Sequence, residues 1–206
     1  MTPEDLSWRP YIKSRIQTYF SDEAILDEPL KEYLYELFDK TIDAGLDKIA
    51  KGLNEPIPIV VIQRTTNVLT FVEAILRPQY GFKGKREEKQ KLINSIFVWC
   101  YAWGLGGALD QFGKERLDDC IKDEFKNIKI PTANTVYDFY YDASKKEPTF
   151  IPWSDKVPQF EYNPALPYFQ LMVPTVDTCR FAFMLEMLNI YSSKPVFFTG
   201  VSGVGK

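Results

Sequence analysis

Residues Gly200 to Lys206 carry the most chemistry for their length. They read Gly-Val-Ser-Gly-Val-Gly-Lys, which is Gly-x-x-x-x-Gly-Lys, the Walker A pattern up to its lysine. Glycines at these positions let backbone N–H groups converge on a β-phosphate with no Cβ in the way. The lysine ammonium then reaches the β- and γ-phosphates. A strand must deliver the chain to the loop. A helix must follow, so that its unpaired amides and positive dipole end face the anion. The apolar run Val196-Phe-Phe-Thr199 supplies the strand. The Ser or Thr that ligates Mg²⁺ would come after Lys206, and an acidic residue on a second core strand would come later still. The expectation is therefore a partial phosphate cradle that does not hydrolyse ATP in isolation and binds nucleotide weakly. By spacing alone, the alternative is a glycine-rich turn.

Other chemistries find little material. The chain has 206 residues and no histidine, which removes the usual general base and the commonest zinc ligand. Cys100, Cys120 and Cys179 are far apart, with no Cys-x-x-Cys pair, as suits a reducing compartment. A formal charge of −3 gives no reason to expect nucleic acid or an anionic membrane as partner. The N-terminus lacks the basic and apolar regions of a signal peptide. Leu92 to Leu109 is uncharged and just reaches spanning length, but it contains Asn94, Ser95 and three glycines. It reads as a buried core helix that breaks near those glycines.

The elements that must position the loop come before it. Residues 1–130 read as helical. Glu28 to Gly52 has an apolar stripe at helical spacing and stops at Gly52 and Pro56. A second helix is expected from about Pro58 to Leu76, ended by Pro78 and Gly81. A mixed-charge connector at Phe82–Lys91 leads to a third helix from Glu87 to about Trp103, with Leu92, Ile96, Trp99 and Trp103 on one face. A shorter amphipathic helix spans Lys114–Phe125. Thr135–Tyr141 and Thr149–Trp153 are β-branched and aromatic runs around a polar turn, which predicts a β-hairpin. Pro158, Pro164 and Pro167 keep the next stretch extended. A last helix is expected from about Val176 to Tyr191, with Phe181, Met184, Leu185 and Leu188 as its stripe.

Taken together, these residues resemble the motor ring of dynein heavy chains. Val173-Pro-Thr-Val-Asp-Thr-Cys-Arg, a helix, and Lys194-Pro-Val-Phe-Phe-Thr-Gly-Val-Ser-Gly-Val-Gly-Lys206 resemble the opening of the third AAA+ module. Ile96-Phe-Val-Trp-Cys-Tyr-Ala-Trp-Gly-Leu-Gly-Gly-Ala-Leu resembles the helix ending the small domain of the second module. Thr135-Val-Tyr-Asp-Phe-Tyr-Tyr-Asp and Trp153-Ser-Asp-Lys-Val-Pro resemble the hairpin region between them, and Leu6-Ser-Trp-Arg-Pro-Tyr-Ile-Lys-Ser resembles the start of that small domain. The wording is closer to the axonemal branch than to the cytoplasmic one. Arg15 departs from the pattern, where the family usually has tryptophan.

The resemblance implies a mainly α fold. A helical AAA+ lid domain (1–130) is followed by a β-hairpin and extended connector (131–172), then the truncated start of an α/β P-loop core (173–206), with both chain ends looking like cuts. It implies that Gly200, Ser202, Gly203, Val204, Gly205 and Lys206 hold ATP or ADP phosphates with Mg²⁺ in the intact protein. Val173, Pro174 and Thr175 would run beside the adenine. For this last loop a plainer reading is open, in which Thr175 or Asp177 caps the next helix. Arg9 is a sensor candidate for the second module's nucleotide, weighed against an ordinary surface arginine. The implied partners are the other AAA+ modules, intermediate and light chains, and microtubules. The implied place is the cytoskeleton of the axoneme, and the third site would be regulatory. The alternative is a self-contained helical interaction module whose C-terminal glycines form a flexible tail. A small complete P-loop kinase fails because nothing follows the loop to hold metal or nucleophile.

Overall fold

The computed structural model describes residues 7–22, 25–76, 84–142, 149–165, 167–191 and 193–196. Among the described residues, six α-helices and one hairpin are joined by short 3₁₀ and π turns: α1 (Trp8–Tyr19), α2 (Glu28–Ala50), α3 (Val61–Ile75), α4 (Arg86–Gly106), α5 (Gln111–Glu124), β1 (Phe139–Asp142), β2 (Thr149–Pro152) and α6 (Val176–Leu185). The mainly helical class with one hairpin is the one expected. The expected stop at Pro78 and Gly81, part of the charged connector, the hairpin turn and the strand residues 197–199 fall outside the described residues. No helix of the described residues is long and apolar enough to cross a membrane.

Element boundaries follow local chemistry. Ser7, Asp27 and Asp110 cap α1, α2 and α5 through their side-chain oxygens. The Asp110 cap explains why α5 starts three residues before the expected Lys114. Val60 is extended and is the N-cap residue, so α3 starts at Val61 rather than near Pro58. The first part of the run 135–141 is not strand. Thr135 and Asp138 bond each other's backbone and close a 3₁₀ turn over Val136–Asp138, so β1 begins only at Phe139. β1 and β2 pair antiparallel with Tyr140 opposite Ile151.

The core centres on α4. From Ile96 to Gly106 every residue of this helix is buried, and α2, α3, α5 and β1 pack around it. Phe97 meets Phe38 edge-on at 5.0 Å and Trp99 meets Phe71 at 5.7 Å. The helix does not break at its first glycine. It runs through Gly104 to Gly106, and Gly104 lies against the backbone of α3. A Cβ there would sit 2.5 Å from the Val68 nitrogen and 2.6 Å from its Cα.

Buried polar groups tie the connectors to this core. The Trp99 indole donates to the Phe139 carbonyl at 3.0 Å, the Trp153 indole to the Tyr137 carbonyl at 2.9 Å, and the Tyr137 hydroxyl to the Ala102 carbonyl at 3.0 Å. Burial pushes the Tyr137 phenol well above its ordinary pKa, so it stays a neutral donor. Arg15 pairs with the buried Glu73 of α3 through two bonds of 2.7 and 3.1 Å. An ion pair thus stands where the resembled family usually has an indole.

Gly104→Ala should lower the stability of the chain by about 1–3 kcal/mol, because neither backbone can yield without moving a helix. The urea midpoint followed by tryptophan fluorescence checks this, and a midpoint equal to wild type would contradict the close approach.

Candidate functional site

The segment that leads into the phosphate loop begins at an exposed apolar stretch. Pro167 opens a 3₁₀ turn (Tyr168–Gln170), after which residues 171–175 are non-helical. Met172 and Val173 are 74% and 57% exposed, and Pro174 is half-buried. Pro174 disfavours the helical region for Val173, so the chain reaches α6 extended.

Thr175 then ends the loop. Its φ of −126° and ψ of 167° are those of an N-cap. Its hydroxyl oxygen accepts from the Thr178 amide at 3.2 Å, and its own amide donates to the Thr178 hydroxyl at 2.8 Å. Its carbonyl accepts from the Cys179 amide at 3.0 Å. Every polar group of Thr175 is therefore engaged in starting the helix. Asp177, in the first turn, pairs with Arg180. The capping role considered from the sequence is what the geometry shows for Thr175. Val173 and Pro174 keep exposed apolar surface in a non-helical stretch.

Helix α6 is held against the preceding helices at several points. Met184 and Met187 are buried in the common core. The Phe183 ring is 5.4 Å from Trp153, 5.9 Å from Trp99 and 5.9 Å from Tyr140. The Lys156 ammonium lies 4.9 Å from the Tyr140 ring and 5.2 Å from Phe183. Arg180 sits 5.8 Å from the Trp103 ring, and Lys114 lies 5.9 Å from that ring. Burial and the nearby Arg180 charge pull the Lys114 pKa down.

After Leu185 the helix widens into a π-helical turn, Glu186–Tyr191, which lies against α3. The Lys194 amide bonds the Leu188 carbonyl at 2.8 Å, and Ser193 takes a φ of 50°. Together they end the helix and turn the chain toward residue 196. The expected helix over 176–191 is thus α for its first part and π for its last turn.

Gly200, Ser202, Gly203, Val204, Gly205 and Lys206 lie outside the described residues. Val173, Pro174 and Thr175, expected beside the base, lie within the described residues. Arg9, the sensor candidate for the second module's nucleotide, stands on α1. Its guanidinium forks onto Asp39 at 2.6 Å and Asp43 at 2.5 Å, clamping α1 to α2, and those two hydrogen bonds raise its pKa. Phe183 was not singled out from the sequence. Its signal was its place inside a helix whose stripe had been drawn through Phe181, which is 60% exposed. No group of three or more potential metal ligands occurs among the described residues.

Comparison with known proteins places these features in a family context. The model described as "Dynein heavy chain AAA lid domain" matches residues 34–155, and that described as "P-loop containing dynein motor region" matches residues 160–206. Dynein axonemal heavy chain 6 of Homo sapiens is 31% identical over 209 residues, covering 99% of this chain and 5% of its own length. Dynein axonemal heavy chain 17 of Mus musculus is 31% identical over 212 residues, covering 100% of this chain and 4% of its own. The dynein beta chain of the flagellar outer arm of Chlamydomonas reinhardtii is 28% identical, covering 98% of this chain and 4% of its own. The chain thus spans a small part of the length of each of these curated relatives.

Thr175→Ala should remove a cap worth about 1 kcal/mol. Amide hydrogen exchange in residues 176–180 should speed about fivefold while α4 keeps its protection, and unchanged exchange in the first turn of α6 would contradict the cap.

Proposed function

Because this chain belongs to the dynein heavy chain family, we propose that it lies within a microtubule motor ring and spans the joint between two AAA+ modules. Residues 1–130 act as the lid of the second module, 131–172 as the connector, and 173–206 as the start of the third. ATP or ADP binds in the intact protein with its phosphates on Gly200, Ser202, Gly203, Val204, Gly205 and Lys206. Its base lies beside Val173 and Pro174, in the loop that Thr175 ends.

The observation that carries this reading is the order of the two matches along one chain. A lid-domain match is followed directly by a P-loop motor-region match whose last residues are Gly-x-x-x-x-Gly-Lys. Mg²⁺ would be ligated by a residue after Lys206 and would neutralise the β- and γ-phosphate oxygens. What residues 173–206 contribute is binding: backbone amides and one ammonium on the phosphates, and an apolar wall on the base. Nucleotide in this third site acts as a regulator, and its state sets whether the first module's cycle releases the microtubule. The partners are the remaining AAA+ modules, intermediate and light chains, and microtubules. The named axonemal and flagellar relatives support a place in the cilium.

Two measurements test the proposal. Lys206→Ala in the full-length heavy chain removes a charge-assisted phosphate contact worth about 1.5–3 kcal/mol, or roughly 10–100-fold in affinity. Nucleotide retained per purified heavy chain should fall by about one, and microtubule gliding should slow several-fold; unchanged retention and velocity would reject the site. For location, an antibody to residues 145–157 should detect a band of several hundred kDa, enriched in isolated cilia over cell bodies. A band at 23.9 kDa instead would favour a free-standing small protein.

A further inference from the structure

We propose that Phe183 is a positioning residue for the base-binding loop, setting where Val173 and Pro174 stand by docking α6 into an aromatic socket of the preceding lid and hairpin. This rests on the nucleotide reading given above.

The socket draws on three separate elements. Trp99 comes from α4, Tyr140 from β1 and Trp153 from the 3₁₀ turn after β2. Phe183 meets Trp99 and Trp153 nearly edge-on, at interplanar angles of 87° and 71°. In that arrangement the positive edge of one ring meets the negative face of the other, so direction as well as distance is fixed. The socket itself is rigid. Trp99 and Trp153 are fully buried, and each indole N–H is held by a backbone carbonyl. Lys156 closes its rim over Tyr140 and Phe183.

Phe183 stands eight residues after Thr175, about 12 Å along a helix rising 1.5 Å per residue. Every polar group of Thr175 is committed to the first turn of that helix, so the loop moves with α6 as one body. A tilt of α6 of about 10° about the socket would carry Val173 roughly 2 Å, by the same helix geometry. A shift of that size separates a base in contact from one that has lost its wall. Met184 of α6 and Met187 of the π turn that continues it are held in the core independently, so loss of Phe183 leaves the helix docked but frees its angle.

The test uses two covalent probes on the full-length heavy chain, read by mass spectrometry. An acyl-phosphate derivative of ATP acylates Lys206 and reports the phosphate side. 8-Azido-ATP labels what touches the base, and trypsin releases residues 157–180 as one peptide containing the loop. Phe183→Ala is expected to cut labelling of peptide 157–180 at least fivefold while Lys206 acylation stays within twofold. Phe183→Leu should restore part of the base labelling. Equal loss of both labels in the Ala and Leu variants would mean a merely structural role and would overturn the proposal, as would unchanged labelling of peptide 157–180. Absence of Lys206 acylation in the wild-type chain would overturn the nucleotide reading instead, and this proposal with it.

Discussion

An uncharged helical segment buried on every side is the constraint that shapes this structure. From Ile96 to Gly106, α4 offers no face to water. Its own backbone bonds are internal, so what it demands of the rest of the chain is apolar cover. α2, α3 and α5 supply three sides of it and the hairpin a fourth. Burial of one large side chain is worth about 1.5–3 kcal/mol. The wrapping therefore draws in segments with weak structure of their own, including a hairpin of two four-residue strands that would be marginal alone.

Such wrapping brings polar backbone into a dry interior, and specific groups meet it at two places. The α4 C-terminus leaves unpaired carbonyls. Arg64 of α3, only 3% exposed, donates to one of them, that of Leu105, at 2.7 Å, while also pairing with Glu55. A cation at the negative end of a helix is favourable on dipole grounds as well. Asp118 does the corresponding work for the connector. Its carboxylate accepts from the Val136 amide at 2.7 Å and pairs with Lys122 one turn on. A buried carboxylate with both partners in place is tolerable, whereas one that lost a partner would be an uncompensated charge.

Much of this was legible in the sequence because it depends on period. The stripes of α2 and α4, the fully apolar run before Gly104 and the aromatic runs of the hairpin are patterns in single segments. The phosphate-loop spacing was legible for the same reason. What escaped was set by contacts between segments. Arg64 on the end of α4 and Arg15 paired with Glu73 each need a partner from elsewhere in the chain. The stripe of α6 shows the limit most clearly. Phe181 and Phe183 are two residues apart, and periodicity favoured the first. The structure leaves Phe181 exposed and seats Phe183, because the socket that selects it is built from three other elements.

That selection bears on where one unit ends and the next begins. A connector rich in proline, 157–167, invites a boundary just after it. Yet Phe183, Met184 and Met187 belong to the same buried cluster, or pack against it, as Trp99 and Trp153. The first helix after the connector is therefore packed, by its contacts, onto the elements that precede it. A force on the lid that reoriented α4 and the hairpin would act directly on α6, and so on the loop at its N-terminus. The linkage runs equally in the other direction, since a coupling free energy between two sites is reciprocal. Any displacement of residues 173–175 works against the stiffness of a core made largely by residues before position 157.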